Sequence, residues 1–341
     1  MGKVTLILML LTSLGLMAAC QQSGGGLYFT SDRDGNYEIY QRDISSDEDI
    51  NITQTAEDEY EVVLSPNKKW LVFRVGAENN SSIEVLNLDS GSEPERFPIS
   101  RGSGNFYAPV WSGDSNRLAY VGDVKGQGSK VFISGVRDSS PAKLSDIEAV
   151  EVGDWSSDGE SVVFSSNDKE RLGIHVRNPD GVNQRQMTCG KDYGAKWSPD
   201  SKRLAFISER EGNPDIYVME RDAEDELCPN TKDSRKDVLR LTETDESESD
   251  ISWSPDSRNI LFVSERDGNK EIYVMESSGN KQIRLTFNEK ADYSPVWSPD
   301  GRTIAFVSEL DGDADIFTMD SSGQNQARIT NNDSADTDPR W

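Results

Sequence analysis

The sequence predicts an all-β ring of seven four-stranded antiparallel blades, on three observations. Seven anchor residues, Leu64, Trp111, Trp155, Trp197, Trp253, Trp297 and Trp341, recur at intervals of 47, 44, 42, 56, 44 and 44 residues, the length of one such blade. An apolar triplet ending in Phe or Tyr begins seven residues after each of the first six anchors, from Leu71-Val72-Phe73 to Ile304-Ala305-Phe306. The seventh triplet, Leu27-Tyr28-Phe29, stands near the other end of the chain, so the unit opened by Trp341 is completed from Leu27 onward. A repeat that starts at one end and finishes at the other describes a β-propeller, closed by pairing the C-terminal strand with the N-terminal blade.

Each unit reads as four strands. Strand one ends at the anchor, whose flat ring fills the wedge between neighbouring sheets; its burial contributes on the order of 3 kcal/mol. A turn follows, as in Ser298-Pro299-Asp300-Gly301, with Pro pre-set for the second turn position and Gly for the fourth. The apolar triplet is strand two. A second loop such as Ser264-Glu265-Arg266-Asp267-Gly268-Asn269 leads to strand three, Glu271-Ile272-Tyr273-Val274-Met275. After Ser277-Ser278-Gly279-Asn280 comes strand four, Ile283-Arg284-Leu285-Thr286. Turn signals separated by short β-branched and aromatic runs are the all-β pattern. Leu64 in place of Trp marks a looser blade, and the 56-residue interval after Trp197 holds a charged insertion over residues 222–236, between strands three and four.

Residues 1–19 read as an export signal, with Lys3 ahead of an apolar run from Val4 to Met17 that is short for a membrane span. Leu16-Met17-Ala18-Ala19-Cys20 resembles the bacterial lipobox, which implies a lipidated Cys20 as the first mature residue; residues 20–26 form a short flexible tether. One propeller domain then covers residues 27–341. Cys189 and Cys228 remain, and an exported protein keeps disulfides. Cys189 follows a strand four, at the opposite sheet end from a strand three–four connection, which argues against a bridge between them; both alternatives stay open.

The chain has 341 residues and a formal charge of −25, spread along its length. Phosphate binding needs clustered Lys and Arg, so nucleic acid is excluded as a partner. A cationic protein surface or divalent cations suit the field, and so does plain solubility. Monomeric behaviour is expected, with membrane contact through the N-terminal lipid only.

The run Tyr293-Ser294-Pro295-Val296-Trp297-Ser298-Pro299-Asp300-Gly301-Arg302-Thr303-Ile304-Ala305-Phe306-Val307-Ser308 resembles the repeat of the TolB-type β-propeller, and so does Ile272-Tyr273-Val274-Met275 with Arg284-Leu285-Thr286. The resemblance spans residues 27–341. It implies a periplasmic or surface binding scaffold that holds another protein or a ligand on one propeller face. It departs from TolB in three ways: TolB carries an N-terminal α/β domain without counterpart here, has six blades, and is not lipid-anchored.

Loops of an antiparallel blade alternate between two ends, so the approach to strand one shares a face with the strand two–three loop. Five residues before each anchor stand Glu59, Phe106, Val150, Asp192, Glu248, Asp292 and Asp336. Glu59, Asp192, Glu248, Asp292 and Asp336 are therefore expected to ring one mouth of the channel and bind a cationic or extended segment of an envelope protein, or Ca²⁺. The alternative is that each carboxylate caps its own loop. Same-face loops add Arg33, Asp34, Arg210, Arg266, Asp267 and Asp311, the arginines expected to pair with Glu38, Asp215 and Glu271. Asp32, Asp34 and Asn36 offer oxygens to Ca²⁺ at a spacing that turn chemistry also explains. No other cofactor is expected.

Enzyme signatures are absent from the sequence. The sole histidine, His175, lies in a strand three, no Gly-x-Ser-x-Gly elbow exists, and phosphate loops are missing. Abundant carboxylates keep a glycan-binding or glycan-active alternative open, which exposed aromatics such as Phe106 or Tyr107 would favour. The reading is a non-catalytic, lipid-anchored envelope scaffold.

Overall fold

The computed structural model describes residues 26–341 apart from 45–46, 78, 91–94, 101, 125, 127, 139 and 224–237. The signal, Cys20 and most of the 222–236 insertion lie outside the described residues. Every regular element among the described residues is a β-strand, and among those residues no helix is long and apolar enough to cross a membrane.

The Trp253 unit shows how the repeat becomes structure. Its strands are Glu248–Trp253, Asn259–Ser264, Glu271–Glu276 and Ile283–Arg284, paired antiparallel in sequence order. The register sets Glu248 opposite Ser264 and Trp253 opposite Ile260. The first turn closes as expected: in Ser298–Gly301 the Gly301 N–H donates to the Ser298 carbonyl at 2.8 Å. Gly301 sits at φ 69°, where glycine carries no Cβ penalty. The Ser298 hydroxyl bonds Asp300 at 2.7 Å and accepts the Thr303 N–H at 3.0 Å, so one serine pins both ends of the turn.

Five four-stranded sheets form this way. The Leu64 and Trp111 units share one eight-stranded sheet, joined where Ser81 pairs with Asn105 in parallel. Leu27–Ser31 pairs antiparallel with Asp336–Arg340, setting Tyr28 opposite Arg340 and Ser31 opposite Asp336. Each strand one touches the next along the chain, and Asp336–Arg340 touches Glu59–Leu64.

The core lies between sheets. Ala205, Ile207, Ile216 and Val218 of one unit pack on Ile251, Trp253, Ile260 and Phe262 of the next. The triplet aromatics Phe73, Tyr120, Phe164, Phe206, Phe262 and Phe306 are fully buried, which is why each triplet must end in a large ring. Trp253 Nε1 donates to the Lys196 carbonyl at 3.0 Å and Trp111 Nε1 to the Val63 carbonyl at 3.0 Å, tying these two rings to the preceding unit.

Strand one carries a feature invisible in the sequence. A bulge interrupts its ladder, between Ser249 and Ser252 in the Trp253 unit and between Tyr293 and Val296 in the next. Glu61, Ala108, Asp250, Ser294 and Asp338 adopt φ between 51° and 55° there, at about 1–2 kcal/mol for each residue with a Cβ. Neighbouring carboxylates hold the strained backbone. Ala108 N–H donates to Glu61 at 2.7 Å and Ser294 N–H to Asp250 at 3.0 Å.

Cys189 is disulfide-bonded, with its partner outside the described residues. This corrects the argument against a bridge at Cys189.

Candidate functional site

The five carboxylates before the anchors occupy one column of the fold, but they are buried and not displayed. Glu59, Glu248, Asp292 and Asp336 have at most 1% of their surface exposed and Asp192 has 3%. The expectation of an exposed acidic rim built from them is therefore corrected. A buried carboxylate needs a partner, and four of these five have an arginine. Glu59 pairs with Arg96 at 2.9 Å, Asp192 with Arg210 at 3.1 Å, Glu248 with Arg266 at 3.1 Å and Asp336 with Arg33 at 3.0 Å. Burial pushes the Glu59 and Glu248 carboxyls above their ordinary value, opposed by their hydroxyl and arginine partners.

The three loop arginines build one repeated cradle. Arg266 Nε donates to Ser264 Oγ at 2.8 Å, its Nη2 reaches Glu248, and its guanidinium lies 4.7 Å over the Tyr273 ring and 5.4 Å from Phe262. Arg210 repeats this with Ser208 at 2.8 Å, Asp192, and Tyr217 at 4.8 Å. Arg33 does so with Ser31 at 2.9 Å, Asp336, and Tyr40 at 4.4 Å. Each serine ends strand two, each carboxylate opens strand one, and each tyrosine lies on strand three, so strand order alone brings them together.

The pairing expected for these arginines with Glu38, Asp215 and Glu271 is corrected. Those strand-three carboxylates turn to strand four: Asp215 to Arg240 at 2.5 Å, Glu271 to Arg284 at 2.8 Å, and Glu38 to Thr53 Oγ1 at 2.5 Å. The reason is the pleat, which sends the loop arginine toward strand one and the strand-three carboxylate toward the outer strand. Thr242 and Thr286 complete this second network by accepting the Ile216 and Ile272 N–H groups, both at 2.9 Å.

The loop acids remain at the surface. Asp34 accepts the Tyr40 hydroxyl and Asn51 Nδ2 at 2.9 Å, and the Tyr40 bond holds its carboxyl below the usual range. Asp267 accepts the Tyr273 hydroxyl, whose pKa is pushed up to about 12 by burial and that bond. Asp311 takes Arg328 at 2.6 Å. With Glu57, Glu246 and Glu289, these exposed carboxylates share the end of the molecule formed by the strand two–three loops and the approaches to strand one.

Asp32, Asp34 and Asn36 do not converge on a cation position. Asp32 accepts the Ala335 N–H at 2.9 Å, while Asn36 directs its amide N–H to the Glu57 carbonyl at 2.8 Å. No group of three or more His, Cys, Asp or Glu among the described residues is arranged to hold a metal. Phe106 is buried against Tyr120, edge-on at 6.2 Å, so it offers no stacking face. Tyr107 is half-buried beside Arg74. His175 stacks on Phe164 at 5.5 Å with Nε2 2.7 Å from the Arg171 carbonyl oxygen, and burial pushes its pKa down, which keeps it neutral.

The sequence reading missed two apolar residues on this end, Phe287 (73% exposed) and Leu310 (45% exposed). Leu310 occupies the loop position that Arg210 and Arg266 hold in their units, a signal that aligning the second loops would have shown.

The comparisons agree with this architecture. The TolB beta propeller domain family matches residues 94–227 and 231–308. A protein TolB homolog of Chlorobium luteolum is 29% identical over 153 residues, 44% of this chain and 34% of that protein. An uncharacterized protein of Agrobacterium fabrum is 28% identical over 229 residues, 64% of this chain and 70% of that protein. The chain thus spans about a third of the TolB homolog and about two thirds of the other relative. An oligogalacturonate lyase of Vibrio parahaemolyticus superposes with a TM-score of 0.69 at 14% identity, over 89% of both chains, a likeness of fold alone. The chain belongs to the TolB beta propeller domain family.

Proposed function

We propose that this chain is a non-catalytic, lipid-anchored scaffold of the bacterial cell envelope. Its seven four-stranded units form a closed ring, and the end carrying its acidic loops binds a cationic or extended segment of an envelope protein. The ring is supported by the pairing of Leu27–Ser31 with Asp336–Arg340 and by the cycle of touching first strands. Anchoring is supported by the Leu16–Cys20 motif.

One observation carries the binding reading: the fold separates its acids into two populations. Those opening strand one are buried, most with an arginine beside them, whereas Asp34, Glu57, Glu246 and Glu289 leave charge at the surface of one end, beside the exposed Asp267–Arg284 and Asp311–Arg328 pairs. Exposed charge of one sign steers an oppositely charged partner and accelerates encounter. The test is crosslinking in the native envelope, comparing the natural protein with the Asp34→Lys, Asp267→Lys double variant. Loss of the captured protein supports the reading; unchanged capture overturns it.

A further inference from the structure

The Trp297 blade contains an arginine cradle without its arginine. Asp292 opens strand one with none of its surface exposed. Ser308 ends strand two, directly opposite it in the ladder, as Ser264 lies opposite Glu248. Phe317 stands 5.8 Å from Phe306, reproducing the Tyr273–Phe262 pair at 5.5 Å. Gln326 anchors its Nε2 on the Leu285 and Gly323 carbonyls, as Gln282 does on Leu241 and Gly279; in the Trp253 blade the Gln282 Oε1 accepts Arg266 Nη1 at 2.7 Å. Every element that receives the Arg266 guanidinium thus has its counterpart.

The cation does not. Leu310 takes the arginine's place in the loop and offers no donor. Asp292 Oδ2 has Asn288 Nδ2 at 2.6 Å and Oδ1 is buried with no partner, as is one oxygen each of Glu59, Asp192 and Glu248; what sets Asp292 apart is that no arginine among the described residues pairs with it. The nearest neighbouring carboxylate, Glu271, is itself paired with Arg284, so that arginine is committed elsewhere. Arg328 is likewise held by Asp311 and Asp315. An unpaired buried carboxylate is costly, and the cost is relieved by whatever brings a cation to it.

We propose that this cradle receives an arginine side chain from the bound partner, with its guanidinium on Asp292 and Ser308 and its plane over Phe317. Resting on the acidic-face reading above, it specifies where and by which side chain the partner is held. Arginine fits and lysine does not, because the three occupied cradles each use a fork: Nε on a serine, Nη2 on a carboxylate, and the flat face on a ring. An ammonium has donors for the serine and the carboxylate but no planar fork to hold both while laying a flat face on the ring. Leu310 is 45% exposed, and Phe287 adds a second exposed apolar side chain on the same end.

The test uses the intact protein and N-acetyl-arginine amide as the probe, followed by NMR at the Asp292 side-chain carboxyl. The expected result is a saturable shift, with N-acetyl-lysine amide about tenfold weaker. The shift disappears in Asp292→Asn, and in Leu310→Arg, which supplies the missing group from within. Leu310→Ala keeps it. Equal binding of the lysine compound, an absent shift in the natural protein, or binding that survives Leu310→Arg each overturns the cradle. The Asp34→Lys, Asp267→Lys variant separates the two proposals. It leaves the amide titration within about twofold, since neither residue touches the cradle, while abolishing capture of the envelope partner. Retained crosslinking with no amide binding overturns the cradle alone.

Discussion

The Trp253 and Trp297 blades adopt the same register from closely similar sequences, yet they handle a buried carboxylate in opposite ways. Glu248 has Arg266 with the Thr244 and Ser264 hydroxyls; Asp292 has the Asn288 amide at 2.6 Å and the Ser308 and Thr286 hydroxyls, but no arginine. Burial with no arginine beside it pushes the Asp292 carboxyl up to about 6. The ladder pairs Glu248 with Ser264 and Asp292 with Ser308 all the same. Apolar packing and strand pairing are therefore sufficient for the blade, and the arginine acts on the charge state of the carboxylate, not on its position.

The largest expected effect comes from making the first blade resemble the second. Arg266→Leu strands Glu248 and should cost about 3 kcal/mol of stability, read by urea denaturation at neutral pH. A value near zero would mean that the cradle contributes nothing and that the two blades differ only in appearance.

A somewhat smaller effect follows from the titration of Asp292. Its folded value of about 6 lies above the ordinary 3.8, so between these values the folded chain holds a proton that the unfolded chain releases. Its contribution to stability is complete below about pH 4 and is lost as pH rises through about 6. Asp292→Asn should remove that segment of the pH profile and stabilise the protein by about 2 kcal/mol above pH 6 relative to the natural chain. Parallel melting curves of the two proteins from pH 4 to 7 would contradict this.

The anchors sharpen the comparison further. Trp253 donates to the Lys196 carbonyl and lies under Arg203 at 5.1 Å, whereas Trp297 Nε1 is buried with no hydrogen-bond partner. Trp253→Phe should therefore cost about 1 kcal/mol more than Trp297→Phe in paired denaturation experiments. The smallest effect is at the rim: Lys281 reaches Glu276 at 2.7 Å in the first blade, but the pair is well exposed. Lys281→Ala should leave the melting temperature unchanged. A clear drop would show that surface charge, and not the cradle, distinguishes the blades.

How much of this the sequence disclosed depends on the kind of contact involved. Anchors and triplets were readable because burial between sheets demands large apolar groups at fixed offsets, and those offsets survive in Leu71, Ile260 and Ile304 alike. The carboxylate column was readable as well, since Glu248 and Asp292 hold one position in each unit. Its burial was not, because what covers it comes from other strands: Arg33 reaches Asp336 across nearly the whole chain. Pairing Arg266 with Glu271 by nearness in sequence failed for the same reason, as the pleat carries the side chain to strand one. The left-handed bulges at Glu61 and Asp250 had no signal at all, for neither residue type favours that conformation strongly enough to announce it.

The sheet that joins Leu27–Ser31 to Asp336–Arg340 sets the order in which the molecule can be completed. During synthesis the Leu27–Ser31 strand emerges with one side of its hydrogen-bonding edge vacant, and the partner for that edge, Asp336–Arg340, follows only about three hundred residues later. Bringing the two together closes a loop of nearly the whole chain, an entropic cost that grows only slowly with length but delays the event. Until then the nascent protein carries an adhesive border. A chaperone that shields extended segments would act on that border before any other part of the fold.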